Sequence, residues 1–345
     1  MKKELENYSI LNKEDFNKFF NTLLGKYNIF GPSKSDKGDK LNKINSADDL
    51  MLDYKNFKMS AKEFFFPQCE TLLAFDPSTG IVKNRSEDVD AKNDIIFGIR
   101  PCDALALSFF DRVFKDGAPQ DPYYTEKRHR STIISLACLE PEPTCFCNAV
   151  GCDVDSETGA DIILTQLNSR YLIKSVTEKG IEILKHLKTL IPATEDDIKE
   201  KDELMAKAKS GLKSNVEVKA LKKKLDDFDA SFWQTVHQKC LGCGVCTYFC
   251  PTCHCFDMTD EVCNNTGRRI RTWDSCMFPL FTLHASGHNP RPSYKERMRQ
   301  RILHKFNYAQ ENYNEIFCVG CGRCIINCPV NLDIRKVIQE ILEAK

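Results

Sequence analysis

The sequence lacks an excess of charge of either sign. Its 345 residues include 49 Lys and Arg and 49 Asp and Glu, so the formal net charge at pH 7 is zero. A chain without a global electrostatic field has no general attraction to nucleic acid or to an anionic membrane surface. We therefore expect neither as a partner, and any partner must be recognised by a local surface.

Long apolar runs are also missing. The first residues, "MKKELENYSILNKEDF", contain no apolar core of a signal peptide, and nowhere do about 18 apolar residues follow one another. We therefore expect a cytoplasmic protein without a transmembrane span. Glycine-rich nucleotide loops are absent too, since neither G-x-G-x-x-G after a strand nor G-x-x-x-x-G-K-[ST] occurs. Flavin and nicotinamide are expected to bind elsewhere.

Cysteine, by contrast, is abundant, with 18 in the chain. Thiols stay reduced in the cytoplasm, so this number predicts metal binding rather than a disulfide framework. Two segments, "CLGCGVCTYFCP" from Cys240 and "CVGCGRCIINCP" from Cys318, repeat the spacing C-x2-C-x2-C-x3-C-P. In bacterial two-cluster ferredoxins the first three cysteines of such a motif bind one cluster and the fourth binds the other.

The repeat predicts two [4Fe–4S] clusters with interleaved ligands. These are Cys240, Cys243 and Cys246 with Cys328 for one cluster, and Cys318, Cys321 and Cys324 with Cys250 for the other. Structural zinc is the alternative, but it uses four thiolates in two pairs, whereas each motif carries a third and a fourth cysteine. The motifs differ from a compact ferredoxin in that 67 residues separate Cys250 from Cys318.

The intervening segment holds further thiols in "CPTCHCFD" and "WDSC", namely Cys253, Cys255 and Cys276. Two interpretations remain open: buried structural thiols, or a further cluster with an unusual ligand set. Cys263, in a polar stretch, is expected to be inert. The basic segment "RPSYKERMRQRILHKF" predicts either a solvated helix or a docking face for an acidic partner.

The first part of the chain has short β-type runs, "KEFFFP", "TLLAFD", "DIIFGI", "STIISLAC", "DIILTQL" and "RYLIKSV". Several are continuously apolar, as in strands covered on both faces. The fold class is predicted as α/β or α+β in three segments. These are a mixed-sheet α/β domain at 1–181, a helical connector at 182–236, and a mostly helical, ferredoxin-like domain with two [4Fe–4S] clusters at 237–345.

Four cysteines of the first segment follow two of these strands. Cys102 comes just after "DIIFGI", Cys138 ends "STIISLAC", and Cys145 and Cys147 lie shortly beyond. If the two strands are parallel neighbours, these thiols meet at one carboxyl edge of the sheet, where α/β proteins bind ligands. We predict a third [4Fe–4S] cluster held by Cys102, Cys138, Cys145 and Cys147. Cys152 or Cys69 could replace one member, and unligated thiols or zinc are the alternatives.

Taken together, the motifs resemble a family of iron–sulfur subunits shared by anaerobic sulfite reductases and by soluble sulfhydrogenases, in which it is the β subunit. The resemblance spans nearly the whole chain, through "KYNIFGPS", "KEFFFP", "DIIFGIRPCD", "CFC", "CPTCHCFD", "RTWDSCMFPLFTLHASGHNPRP" and "CVGCGRC". The strings "SCM", "LHK" and "FGPS" favour the sulfite reductase branch. One departure is "PCD", where both branches are expected to have "ACD".

The resemblance implies a relay without catalytic residues of its own. A flavoprotein subunit would oxidise NAD(P)H, this chain would pass electrons through its clusters, and a sirohaem sulfite reductase subunit would use them. A NiFe hydrogenase subunit is the alternative acceptor. The competing hypothesis is a stand-alone iron–sulfur reductase with an open catalytic cluster.

Overall fold

A computed structural model describes residues 5, 7–34, 40–84, 92–214, 216–264 and 266–344. The backbone divides into two compact units. The first unit comprises Met1–Ala61, Lys92–Asn215 and Val319–Gly322. The second comprises Lys62–Ala91, Val216–Cys318 and Arg323–Lys345. No described helix is long and apolar enough to cross a membrane.

The strands, in chain order, are β1 (Tyr8–Asn12), β2 (Asn28–Pro32), β3 (Leu41–Ile44), β4 (Cys69–Phe75), β5 (Val82–Asn84), β6 (Asp94–Ile99), β7 (Ser131–Leu136), β8 (Ile162–Gln166), β9 (Arg170–Ser175), β10 (Ile191–Pro192), β11 (Phe256–Cys263) and β12 (Thr266–Trp273).

The α-helices are α1 (Phe16–Lys26), α2 (Lys62–Phe65), α3 (Pro101–Phe114), α4 (Pro122–Arg130), α5 (Glu178–Leu184), α6 (Glu195–Ser210), α7 (Leu221–Leu225), α8 (Val245–Tyr248), α9 (Tyr294–Leu303), α10 (Ala309–Tyr313), α11 (Arg323–Ile326) and α12 (Ile334–Glu343). Short 3-10 turns occupy Lys13–Asp15, Ala47–Asp49, Cys147–Val150, Val218–Ala220, Ser231–Gln234 and Pro279–Thr282, and a π-helical turn spans His304–Tyr308.

The first unit is built on a mixed sheet with the strand order β10-β1-β9-β8-β7-β6-β2-β3. Strands β2, β6, β7 and β8 are parallel to one another, and the remaining pairs are antiparallel. Every residue of β6 and β7 is buried, which explains their continuously apolar sequences. The predicted mixed-sheet α/β architecture is confirmed.

Helix α1 contributes most of the aromatic packing of this sheet. Phe19, Phe20 and Leu23 lie on one face of the helix and are at most 2% exposed. Phe20 meets Phe97 of β6 edge to face, with ring centroids 5.4 Å apart. Burying a side chain of this size stabilises a fold by about 1.5–3 kcal/mol. The core of the first unit is therefore apolar and does not involve the cysteines.

The segment predicted as a helical connector, 182–236, is divided between the two units at residue 215. Its main helix, α6, begins with a capping box between Thr194 and Asp197. Ile198 and Leu204 then pack on a small cluster around Leu172 of β9. The apolar positions of α6 are few, but they form one stripe, so the helix joins the first unit instead of bridging solvent.

The second unit also contains a sheet, with the order β11-β12-β4-β5 and antiparallel pairing throughout. Strands β4 and β5 come from the part of the chain that was predicted to lie wholly in the first domain. The run "KEFFFP" was predicted to form a strand, and this is wrong, because Lys62–Phe65 is a helical turn. Strand propensity depends on neighbours, and here Phe66 stacks against Trp273 of β12 instead.

Candidate iron–sulfur cluster sites

The first cysteine motif surrounds a cavity of about 460 Å³ in the second unit. The cysteines that line it are Cys240, Cys243, Cys246, Cys324 and Cys328. Cys328 belongs to the second motif, so the fold brings it to the three cysteines with which it was predicted to share a cluster. The ligand assignment itself stays a prediction.

The loop of this motif is shaped for sulfur ligands. Gly242 has a φ of 66°, in the region that only glycine enters without strain. Its backbone N–H donates to Sγ of Cys240 at 3.4 Å. On the opposite side of the cavity, the N–H of Leu332 donates to Sγ of Cys328 at 3.3 Å. Such donors stabilise thiolates and tune the potential of a bound cluster.

Arg301 supplies positive charge to the same cavity. The side chain is only 3% exposed and forms part of the lining. Burial lowers the pKa of Arg301, but the nearby Cys246 and Cys324 thiolates outweigh burial and raise it well above its usual value. Burial raises the pKa of Cys246, so its thiol is protonated until iron displaces the proton.

Cys250 lies deeper in the second unit, against a second buried cation. Lys305, 4% exposed, donates from Nζ to Sγ of Cys250 at 3.2 Å and to the Phe317 carbonyl at 3.1 Å. Burial lowers the pKa of Lys305, but the Cys250, Cys253 and Cys318 thiolates raise it well above its usual value. One ammonium group therefore faces both Cys250 and Cys318, which were predicted to share a cluster.

A second cavity, of about 390 Å³, lies in the first unit at the carboxyl edge of the large sheet. Strands β6 and β7 are parallel neighbours there, as the cluster hypothesis requires. All four predicted ligands line the cavity, together with Cys152 and Cys321; the four are Cys102, Cys138, Cys145 and Cys147. Cys69, the other named substitute, is exposed on β4 in the second unit.

Residues 319–322 belong to this first unit, which sequence reasoning did not foresee. The N–H of Phe146 donates to the Gly320 carbonyl at 2.8 Å, and Nδ2 of Asn56 donates to the Cys321 carbonyl at 3.3 Å. No sequence signal links these distant segments, because backbone hydrogen bonds leave no side-chain pattern.

The cavity of the first unit has its own cation. Arg100, 7% exposed, donates from Nη1 to the Ala137 carbonyl at 2.9 Å and lies 4.3 Å from the centroid of the Tyr54 ring. Burial raises the pKa of Cys138, while the Arg100 guanidinium lowers it. Burial also raises the pKa of Cys145 to about 12. An anionic cluster would match this lining better than free thiols would.

Pro101, which replaces the expected alanine, fits the local backbone. It occupies the first turn of α3, where a missing N–H leaves no hydrogen bond unmade. Arg100 before it is extended, with φ −76° and ψ 154°, as a residue preceding proline prefers. The proline therefore leads from β6 into α3 without distorting the turn that carries Cys102.

The remaining cysteines of the second unit separate into two kinds. Cys253, Cys255 and Cys276 line a third cavity, of about 290 Å³, whereas Cys263 is exposed on β11. Burial lowers the pKa of His254 to about 4 and that of His304 to about 3, so both imidazoles of this cavity are neutral at pH 7. Among the described residues, no group of three or more His, Cys, Asp or Glu side chains is arranged to hold a single metal ion.

The basic helix was expected to be either solvated or a docking face, and three of its cations are neither. Arg297, Arg301 and Lys305 follow one another at four-residue intervals and are at most 4% exposed. Residues four apart share one face of a helix. That face is directed into the second unit, so these charges act on its interior rather than on a partner.

Comparisons with known proteins agree with these sites. The family model described as a 4Fe-4S dicluster domain matches residues 239–332. Sulfhydrogenase 2 subunit beta of Pyrococcus furiosus is 33% identical over 341 residues, covering 97% of this chain and 98% of the relative. No solved structure gives a significant match. [4Fe–4S] clusters are thus the cofactors of an iron–sulfur electron-transfer subunit, and the chain belongs to the sulfhydrogenase beta subunit family.

Proposed function

We propose that this chain is the electron-transfer subunit of a sulfhydrogenase-type complex. It would carry electrons between a flavoprotein subunit that oxidises NAD(P)H and a NiFe hydrogenase subunit that holds the catalytic metal centre. The main support is the full-length similarity to a sulfhydrogenase beta subunit, combined with the convergence of both cysteine motifs on one cavity.

The sulfite reductase branch, favoured by three short strings, becomes the second candidate. Those strings cover 10 of 345 residues, whereas the similarity to the sulfhydrogenase relative covers 97% of the chain. The two branches differ in the protein that accepts the electrons, while the role of this chain is the same in both. Only the acceptor side of the proposal therefore depends on the choice.

Twelve cysteines would hold three clusters in this proposal. Two clusters take the ferredoxin-type ligands Cys240, Cys243, Cys246 and Cys328, and Cys318, Cys321, Cys324 and Cys250. The third takes Cys102, Cys138, Cys145 and Cys147. When bound, the clusters supply one-electron redox chemistry at potentials of roughly −700 to +450 mV, a range set by their surroundings.

The protein contributes charge and exclusion of water around these sites. Arg301 and Arg100 are buried beside the thiols of the two larger cavities. A nearby cation favours the more negative state of a redox group, so both arginines would favour reduction of the clusters beside them. No nucleotide loop occurs in the sequence, which supports assigning flavin and nicotinamide to another subunit.

Stopped-flow spectroscopy of the complex, purified anaerobically with the products of neighbouring genes, tests the proposal. NAD(P)H should bleach the cluster absorbance of this subunit only when the flavoprotein is present. Reoxidation should yield hydrogen from protons when the catalytic subunit is present. The isolated subunit serves as the control.

Two outcomes would contradict specific parts of the proposal. Rapid reduction of the isolated subunit by NADH would support an enzyme in its own right. Reoxidation by sulfite, without hydrogen formation, would place the complex in the sulfite reductase branch.

A further inference from the structure

The third cavity, in the second unit, has an unusual lining for its size. Three thiols share about 290 Å³ with two imidazoles and two cations, and no lining residue is acidic. The lining residues are Thr252, Cys253, His254, Cys255, Cys276, Arg301, His304, Lys305 and Phe317. Neither ferredoxin-type ligand set uses any of these cysteines.

Backbone contacts hold the three thiols around this space. Cys253 and Cys255 lie in the loop just after the first motif, and Cys276 follows the end of β12. The N–H of Asp274 donates to the Cys255 carbonyl at 3.0 Å, which ties the two segments together. The N–H of Cys253 donates to the Cys250 carbonyl at 3.4 Å, which joins the loop to the first motif.

Three buried cations surround the thiols. Lys62, 3% exposed, donates from Nζ to the Cys253 carbonyl at 3.1 Å and lies 4.1 Å from the centroid of the Trp273 ring. Lys305 and Arg301 are buried in the lining itself. Burying cations without carboxylates is costly unless another negative charge compensates them.

Arg301 gives a second indication that this cavity suits an anionic group. Its Nε is buried and has no hydrogen-bond partner among the described residues. Buried donors in native proteins are nearly always satisfied, by protein, water or ligand. A negatively charged group in this cavity would both accept from such a donor and offset the cations.

We propose that Cys253, Cys255 and Cys276 hold a further [4Fe–4S] cluster through three of its irons, with no cysteine on the fourth. Three thiolates and the inorganic sulfides make such a cluster anionic, which matches Lys62, Arg301 and Lys305. Cys250 is not part of the lining, and the second motif requires it. The fourth iron is therefore free to exchange a small anionic ligand.

The position of Arg301 links this cluster to the relay. The same side chain lines both this cavity and the cavity of Cys240, Cys243 and Cys246. A cluster here would lie one side chain away from a ferredoxin-type cluster. The proposal stands whether the electron acceptor is a hydrogenase or a sulfite reductase, because it concerns only residues of this chain.

Iron and sulfide analysis of the full-length holoprotein tests the ligand set. Cys253→Ser, Cys255→Ser and Cys276→Ser should each lose about four iron atoms per chain, the content of one cube. The electron paramagnetic resonance signals of the ferredoxin-type pair should persist. Cys263→Ser, at an exposed thiol on β11, is the matched control and should keep all its iron. Unchanged iron in the three variants would overturn the proposal.

A measurement on the unaltered protein does not depend on the variants folding. Cyanide added to the reduced holoprotein should shift the Mössbauer signal of one iron only, since cyanide binds an iron that lacks a cysteine ligand. The absence of any shift would refute the open fourth iron. If oxidation instead consumes two thiols in Cys255 and Cys276 while iron stays constant, the pair is a redox dithiol and the cluster proposal is wrong.

Discussion

Two cysteines of the same type, Cys250 and Cys328, end the two motifs but have different surroundings. Cys328 lines the cavity of the first motif, whereas Cys250 accepts a hydrogen bond from the buried ammonium of Lys305. A cysteine's role is thus set by the site at which the chain places it, and not by its motif alone.

Exchange of these two cysteines should affect opposite clusters. We expect Cys328→Ala to damage the cluster of Cys240, Cys243 and Cys246, and Cys250→Ala to damage the other. Electron paramagnetic resonance spectra of each variant can be compared with that of a triple mutant in each motif. If Cys328→Ala resembles loss of the second-motif cluster, the interleaved assignment is wrong.

Gly320 offers a second test at the residue scale. Its φ is +62°, and an added Cβ would lie 2.5 Å from the backbone N of Cys147. Gly151, also in the first unit, has a φ of +81° with nothing within 4 Å, so it is a matched control. Gly151→Ala should cost about 1–2 kcal/mol from the backbone conformation alone. Gly320→Ala should cost about 1–3 kcal/mol more, because backbone atoms must move.

The measurement is thermal unfolding of both variants, together with their iron content. Only Gly320→Ala should lower the iron bound in the first unit, because its clash falls on a predicted cluster ligand. Equal stability and iron content in the two variants would show that the contact with Cys147 does not matter.

Single residues were the most predictable level of this molecule. The spacing of eight cysteines indicated the ferredoxin-type ligand sets, since short-range geometry is encoded in consecutive residues. The carboxyl edge of β6 and β7 likewise predicted where Cys102 and Cys138 meet. Cys321 was the exception, because its place in the first unit depends on backbone contacts with Phe146 and Asn56.

At the scale of elements, β12 carries two ion pairs with β4 and β11 that differ mainly in burial. Arg271 and Glu70 pair at 2.6 Å with side chains 3% and 1% exposed. Arg269 and Asp260 pair at 2.7 Å with side chains 49% and 45% exposed. The same strand therefore holds a buried pair and a solvent-exposed pair two residues apart.

Removing the arginine of each pair should have unequal effects. Arg271→Leu leaves Glu70 buried without its partner, so we expect a loss of about 3–5 kcal/mol. Arg269→Leu breaks an exposed pair and should cost about 0.2–1 kcal/mol. Denaturant unfolding of both variants, followed by circular dichroism, gives the comparison. Similar midpoints for the two variants would show that the Glu70 pair does not stabilise the sheet.

Elements were only partly predictable. The buried strands β6 and β7 follow from continuous apolar runs, which local sequence carries. The turn at Lys62–Phe65 does not, because Phe66 and Lys62 take their positions from Trp273, more than 200 residues later. Helix α6 was recognised as a helix, but its attachment to the first unit depends on a stripe of few apolar residues.

On the scale of the whole molecule, the two units differ in what stabilises them. The first has an apolar core around Phe20, Phe97 and Ile134 that involves no cysteine. In the second, buried Arg301 and Lys305 face thiols. Uncompensated buried charge is destabilising, so the second unit should depend more on its clusters.

Removal of iron from the full-length protein should therefore loosen the second unit first. Limited proteolysis of the cluster-free chain should cut within 237–264 and 323–344 faster than within β6 or β7 of the first unit. In the holoprotein these sites should be protected at least tenfold better, because ligand binding stabilises the state that binds it. Mass spectrometry of the earliest fragments locates the cuts. Equal cleavage rates with and without clusters would show that the second unit folds independently of iron and that its buried cations are compensated by the protein alone.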